Sequence, residues 1–507
     1  MKTTRRSLLT TDRAMSPAPR ADDEQTRTPL FDAMVGLAES RKVSFHTPGH
    51  KSGKGISTRF RKFVGPKIFT IDLTTLDEVD SLQNPTGVIK EAQGLAAKAS
   101  GADRSYFLVN GTTVGNHAMV ASTTRPGDTI LIARNCHRSV LTGLVVSGAR
   151  PVFFQPRYDA RIRLTLNVTF ETAKQAIDSN PGARAILLTS PNYYGLCADI
   201  ERIIPYAHEK GLVVLVDEAH GPHLKFNPKL PICALDAGAD ICVQSTHKIV
   251  GGMTQASMLH AKAGRVDIDN VTKMLKLLQT TSPSYILMAS LDLARMQMAT
   301  EGKKLLNRAI KLAEEARAEI NRISGVSCLS REEARAAGMP DMDVTKLTIR
   351  VSDLGLSGYH ISQILNTRFG IQVEMADPFH VLVIVSIGDR QDDLDRLVEA
   401  LRTVAAEIGL QGQLMPLDRV TPPLLDNKCI MTPRDAFYSE TELVGIHSAA
   451  GRVSAEIVTV YPPGIPLLVP GEEISRNAIE YITHMAGLGA IIDGLNENNT
   501  FVRVVKR

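Results

Sequence analysis

Between about residues 90 and 260, short apolar runs alternate with stretches of helical spacing, and that alternation decides the fold class. Tyr106–Val109, Thr129–Ala133, Pro151–Phe154, Ala185–Leu188, Leu212–Val216 and Ile241–Val243 read as strands. Ile89–Ala99, Phe170–Ile177 and Ile200–Glu209 carry helical spacing around and between them. Short apolar strands separated by helices predict an α/β unit with a mostly parallel sheet and helices on both faces. Ligands of such sheets bind outside the carboxyl ends of the strands, so polar residues that directly follow a strand are the candidates for a site.

A chain of 507 residues exceeds one ordinary core, so two or three units are expected. The helical region 287–323 ends at Ser324-Gly325 and bridges to a second unit, where Val344–Val351, Gly358–Phe369, Val381–Ser386 and Asp392–Ile408 read strand, helix, strand, helix. Residues 409–433 turn to Gly, Gln, Pro and Asp, the composition of a linker. The predicted division is a disordered lead-in (1–28), a large domain with the bridging helix (29–325), a small α+β domain (326–412) and a C-terminal domain (413–507). With 58 basic against 54 acidic residues, scattered rather than in blocks, charge gives no reason to propose nucleic acid as a partner. Six cysteines without a CxxC pair support neither a zinc cluster nor a disulfide framework. Arg5-Arg6 is followed by Thr10, Thr11, Asp12 and Arg13 where an export signal needs an apolar stretch, and no apolar run spans a bilayer, so a cytoplasmic protein is expected.

Four motifs carry chemistry. Asp217 ends the apolar run Val213–Val216, where a buried acid is costly unless it has a partner. That partner is either the protonated pyridine nitrogen of pyridoxal phosphate (PLP) or the N-terminus of a following helix, which Asp217 would cap. Lys248 follows the next run, after Ser245-Thr246-His247, and reads either as an imine-forming amine beside a phosphate or as an exposed loop lysine. Asp217 one unit upstream favours the first. Asn110-Gly111-Thr112-Thr113, between a strand and a helix, makes an anion site, though Thr-Thr also commonly caps helices. It is no Walker-type loop. His137, in Arg134-Asn135-Cys136-His137-Arg138-Ser139, could stack on a flat heteroaromatic ring or be an ordinary hydrogen-bonded loop histidine.

These segments, taken in order, resemble the Orn/Lys/Arg decarboxylase family of fold-type I PLP enzymes, in the short bacterial form without an N-terminal wing domain. The resemblance runs from about residue 30 to the end and includes His46-Thr47-Pro48-Gly49-His50-Lys51, Asn84-Pro85-Thr86-Gly87, Thr280-Thr281-Ser282-Pro283-Ser284-Tyr285, Gly451 to Glu456, Tyr461 to Pro466, and Pro470-Gly471-Glu472. It implies a fold-type I PLP-dependent transferase-like large domain with smaller α+β C-terminal domains. PLP would be the cofactor, held by Lys248 through an imine and paired with Asp217 at the ring nitrogen. His137 would stack on the ring, with His220 beside its face. Gly111, Thr112, Thr113, Ser245 and His247 would surround the phosphate. Thr281 and Ser282 would reach the phosphate of a neighbouring subunit, since such enzymes are homodimers or larger assemblies with shared sites. The chain departs from the family at Pro191-Asn192-Tyr193-Tyr194-Gly195, where a Thr usually precedes the Tyr, and no role is carried over to Asn192.

The implied reaction is α-decarboxylation of a basic L-amino acid in polyamine biosynthesis, catalysed by Lys248, Asp217 and His220. Arginine is favoured slightly over lysine, and ornithine less. A carboxylate must pair with the substrate's distal cation; Glu456, Glu472 and Asp80 are the candidates. No metal is expected. The competing readings are another fold-type I enzyme, such as an aminotransferase or aldolase, and a non-catalytic PLP-binding relative.

Overall fold

The structure, a computed structural model, describes residues 24–40, 42–409, 427–461, 464–496 and 498–507. The central sheet comprises β1 (Arg104–Leu108), β2 (Thr129–Ala133), β3 (Arg150–Phe154), β6 (Ala185–Thr189), β7 (Val213–Asp217), β8 (Ile241–Gln244) and β9 (Ser257–Ala261), in the order β1-β9-β8-β7-β6-β2-β3. A small hairpin of β4 (Tyr158–Asp159) and β5 (Leu164–Thr165) stands apart from it. Strands β3, β2, β6, β7 and β8 run parallel. The continuous apolar character of these strands has a direct cause, because alternate residues enter two different cores. Ile130, Ile132, Leu187, Leu215 and Val243 face one; Leu131, Ile186, Leu188, Val214 and Val216 face the other. Burying each such side chain contributes about 1.5–3 kcal/mol.

One strand departs from the expected pattern. β9 is absent from the predicted strands and lies antiparallel to both its neighbours, β1 and β8. Its Ser257 and His260 hide it from a reading based on apolar runs, yet both are buried. His260 meets Ser105 at 2.7 Å, Ser100 at 3.2 Å and Gln244 at 3.2 Å, so its polar atoms are satisfied inside the protein.

The bridging helix runs Tyr285–Ile320. Its first turns pack Tyr285, Met288 and Leu291 with Leu30, Met34 and Phe107. Its last turns pack Ala309, Ala313, Ala316 and Ile320 into the core of a second sheet, made of β10 (Ser327–Cys328), β11 (Lys346–Arg350), β12 (Met375–Ala376) and β13 (His380–Ile384) in the antiparallel order β10-β11-β13-β12. One rigid rod thus serves two cores. The C-terminal region pairs β14 (Thr441–Gly445) with β18 (Phe501–Val505) and joins β15 (Val458–Tyr461), β16 (Ile465–Leu468) and β17 (Ile491–Asp493) in a separate sheet. Its core takes in Phe379 from the loop before β13.

Two boundaries differ from expectation. Residues 1–23 of the predicted lead-in lie outside the described residues, but 24–28 are held in place. The Arg295 guanidinium donates to the carbonyl of Gln25 at 2.6 Å and to that of Arg27 at 2.5 Å, and Thr28 is buried. Likewise, residues 410–426 of the predicted linker lie outside the described residues, while the remainder is tied down. Ile430 N–H donates to the Gly471 carbonyl at 2.8 Å, and a helix begins at Pro433. Pro462 and Pro463 also lie outside. Among the described residues no helix is long and apolar enough to cross a membrane.

Candidate active site

Strands β1, β2, β6, β7 and β8 all end at the same edge of the sheet, and the residues that follow them line a cavity of about 360 Å³. After β1, a helix starts at Gly111, whose φ of 72° is one that glycine tolerates without strain. Its N-cap residue, Asn110, makes no side-chain cap, so the first N–H groups of the helix are left to meet an anion. Thr112 Oγ1 lies 2.5 Å from Ser245 Oγ, which follows β8, and 3.0 Å from Ser257 Oγ, which opens β9. Because β9 runs backwards, it is its first residue that reaches this edge. Three hydroxyls from three strands therefore gather at one helix N-terminus. Thr113 and His247 line the same cavity, and His247 Nδ1 sits 2.9 Å from the Ala256 carbonyl.

Asp217 closes β7 and is 2 % exposed. Its Oδ2 accepts from Asn116 Nδ2 at 2.8 Å and its Oδ1 from the Ala219 N–H at 3.1 Å. The α-helix that a capping role requires does not form; a turn and the short 3-10 helix Leu224–Phe226 follow. Among the described residues no salt bridge involves Asp217, which leaves a buried carboxylate at the cavity wall without a cation. His137 lines the cavity and caps the helix Arg138–Ser147, its Nδ1 accepting from the Ser139 N–H at 3.3 Å.

Lys248 sits in the short helix Thr246–Ile249, half-buried rather than in an exposed loop. Its Nζ is 2.9 Å from His220 Nε2 and 5.1 Å from the centre of the Tyr193 ring, whose centroid lies 4.7 Å from that of His220 with the two rings tilted at 57°. Burial draws the Lys248 pKa below the ordinary lysine value, against the opposing pull of Asp217 and Glu374. Burial, reinforced by Lys248 and Lys346, holds His220 well below the usual histidine range, so its ring is neutral.

Three sequence candidates are not brought to this cavity. Asp80 is spent at the start of the helix Val88–Ser100, its Oδ2 accepting from the Gly87 N–H at 2.7 Å and the Ile89 N–H at 3.2 Å. Glu472 is 1 % exposed and binds both ends of the buried Arg134 guanidinium, its Oε2 also accepting from the Val469 N–H at 3.1 Å. Glu456 is exposed and pairs with Arg503 at 3.1 Å. As substrate-reading groups within this chain's own cavity, all three expectations are corrected. Thr281 and Ser282 are exposed and outside the cavity, although the adjacent Thr280 N–H donates to Asn110 Oδ1 at 3.1 Å. Asn192 shapes its own turn, its Oδ1 accepting from the N–H groups of Tyr194 and Leu196.

Sequence reasoning overlooked three residues. Tyr193 packs on His220. Lys346, the first residue of β11, is wholly buried with Nζ 3.3 Å from His220 Nδ1. Glu374, just before β12, is exposed and lines a neighbouring cavity, and its charge partly offsets the burial that lowers the pKa of Lys248, His247 and Lys346.

Residues 28–393 match the family model described as Orn/Lys/Arg decarboxylase, major domain, and residues 424–499 match that of the C-terminal domain. The chain belongs to the Orn/Lys/Arg decarboxylase family. It is 42% identical over 483 residues to the arginine decarboxylase of Bacillus subtilis (strain 168), covering 95% of this chain and 98% of that one. Identity to the inducible lysine decarboxylase of Escherichia coli (strain K12) is 28% over 562 residues, covering 92% of this chain and 78% of the relative. The fold matches lysine decarboxylase A from Pseudomonas aeruginosa with a TM-score of 0.82 at 22% identity, over 95% of this chain and 81% of that one. In this family setting, the large unit with its mostly parallel sheet has the fold-type I architecture.

Proposed function

We propose that this chain decarboxylates a basic L-amino acid with PLP as cofactor, arginine being the preferred substrate. The observation that carries the reading is the convergence, in one cavity, of the Lys248 amine, the cation-free Asp217 carboxylate and an uncapped helix N-terminus ringed by hydroxyls. Each feature matches one part of the cofactor. Lys248 would hold it through an imine, Asp217 would keep a proton on its ring nitrogen, and Thr112, Thr113, Ser245, His247 and the N–H groups after Gly111 would hold its phosphate. When bound, PLP supplies an electron-poor ring into which the electron pair of a broken bond at the substrate Cα can spread. His137 would pack on one ring face. The Lys248 ammonium, hydrogen-bonded to His220 at 2.9 Å, would return a proton to Cα after CO₂ leaves, with His220 holding that amine in place.

Arginine is favoured because the 42% identity is to an arginine decarboxylase and the 28% identity to a lysine decarboxylase. Glu374 replaces Asp80, Glu456 and Glu472 as the proposed reader of the distal cation; like Asp217 and Asp343 it is a carboxylate whose charge acts on the lysines of the site, and unlike those two it is exposed. A homodimer or larger assembly with shared sites is proposed as well. Val43, Phe45 and Phe63 are 77%, 91% and 89% exposed in the single chain, an apolar display that a second copy would cover. Thr281 and Ser282 would then act on the neighbour's phosphate. The same reading divides the chain into its sheet-bearing large unit, the small unit and the C-terminal unit. It also places the protein in the cytoplasm, where the free thiols of Cys136, Cys197, Cys233, Cys242 and Cys328 stay reduced.

Incubation of the purified protein with PLP and, in turn, arginine, lysine and ornithine tests this, with amines identified by mass and CO₂ measured. The expected result is CO₂ and the amine of arginine formed fastest. A keto acid without CO₂ would make it an aminotransferase, and no product with any substrate would make it a non-catalytic binder.

A further inference from the structure

His220 stands between two lysines. Its Nε2 lies 2.9 Å from Lys248 Nζ and its Nδ1 3.3 Å from Lys346 Nζ. A neutral imidazole has one N–H and one lone pair, whereas an ammonium has three donors and no acceptor. Two ammonium groups cannot both be satisfied by this ring, because one of them would point its hydrogens at an N–H. At most one charged lysine fits, and the ring tautomer decides which. If Lys248 is charged, it donates to Nε2 and the Nδ1–H donates to a neutral Lys346. If Lys346 is charged, it donates to Nδ1 and the Nε2–H donates to a neutral Lys248.

Resting on the reading of Lys248 as the cofactor-binding amine, we propose that Lys346 is a positioning residue which takes up, through His220, the proton that Lys248 must lose to act as a nucleophile. The transfer balances. Lys248 gives a proton to Nε2 as Nδ1 gives one to Lys346, so one N–H bond breaks and one forms at each end and no net charge leaves the cavity. The reverse exchange recharges Lys248 when it is displaced.

The surroundings suit a shared proton. Lys346 is wholly buried, so this proton has no direct path to water. Burial brings its pKa down to about 8, with Lys248 pushing the same way and Asp343 and Glu374 opposing. Asp343 stays charged, held low against burial by His223, whose Nε2 is 3.1 Å from Asp343 Oδ2. On the ring itself, Lys248, Lys346, His137 and His223 all oppose a second proton, which keeps His220 a two-way conductor rather than a sink. No role in packing requires an amine here; a methionine would fill the same space.

The test is reductive methylation of the full-length, cofactor-free chain with formaldehyde across a pH series, quantified for the Lys248 peptide by mass spectrometry. Lys346→Met removes the proton acceptor, so the pH of half-maximal labelling should rise by about one unit, making labelling near pH 7 about tenfold slower. Lys346→Arg keeps a permanent cation on Nδ1, so the same midpoint should fall. Opposite shifts are the signature, since a merely structural role would move neither midpoint or both the same way. In a His220→Gln background, Lys346→Met should add nothing, and this comparison stands even if the arginine variant does not fold. Unchanged midpoints in Lys346→Met, or the same shift with and without His220, would overturn the proposal. Failure of PLP to bind the unmodified protein would instead remove the reading on which it rests.

Discussion

Two buried sets of charges in this molecule are built in opposite ways. At the joint between the large and C-terminal units, Arg134 and Glu472 are 2 % and 1 % exposed and almost fully occupied with each other. The guanidinium also donates to the Leu467 carbonyl at 3.0 Å and lies 4.5 Å above the Phe153 ring. In the cavity, only a short distance along the same Arg134–Ser139 segment, Asp217 has hydrogen-bond donors but, among the described residues, no salt bridge, and Lys248 faces a neutral ring rather than a carboxylate. Charges that satisfy one another hold parts together. Charges held apart are kept available for something that binds between them, and that difference identifies the working site better than motif membership does.

Substitutions at the two places should therefore fail differently. Lys248→Ala, which removes the covalent attachment, is expected to lower decarboxylation by roughly 1000-fold or more with little change in the unfolding midpoint, measured by CO₂ release and urea titration. Asp217→Asn keeps the shape but not the charge, and a loss in kcat on the order of 100- to 1000-fold is expected, with PLP still bound by its visible absorption. Arg134→Met should do the reverse, costing about 3–5 kcal/mol of stability by stranding Glu472. Pairing it with Glu472→Leu should recover much of that loss, and kcat per folded molecule should stay near the unmodified value. The smallest effect is expected from Glu374→Gln, roughly a tenfold rise in KM for arginine at nearly constant kcat. If that variant instead lost kcat with KM unchanged, Glu374 would belong to the chemistry and not to substrate recognition.

What was legible in the sequence follows the same divide. Parallel strands buried on both faces are written as apolar runs, so Thr129–Ala133 and Ile200–Glu209 appear with the predicted bounds. β9 was illegible because its histidine and serine are satisfied by partners distant in sequence. Lys248 and Asp217 could be named because Asp217 closes one buried strand and Lys248 lies just past the end of the next. Lys346 could not, since a lysine opening a short strand ordinarily faces water, and only the packing of β11 against His220 buries it. Glu472 and Asp80 misled for the converse reason. An acid inside a family motif looks available for a substrate until its partner, here Arg134 or the N-terminus of a helix, is seen.

The central claim, that the cavity at the carboxyl edge of the sheet holds PLP on Lys248, has one direct measurement. The protein loaded with PLP is reduced with borohydride, digested, and its peptides mapped by mass spectrometry. The account predicts one phosphopyridoxyl group per chain, on Lys248, and none in Lys248→Ala. A label on Lys346 or on any surface lysine, with Lys248 unmodified, would contradict it.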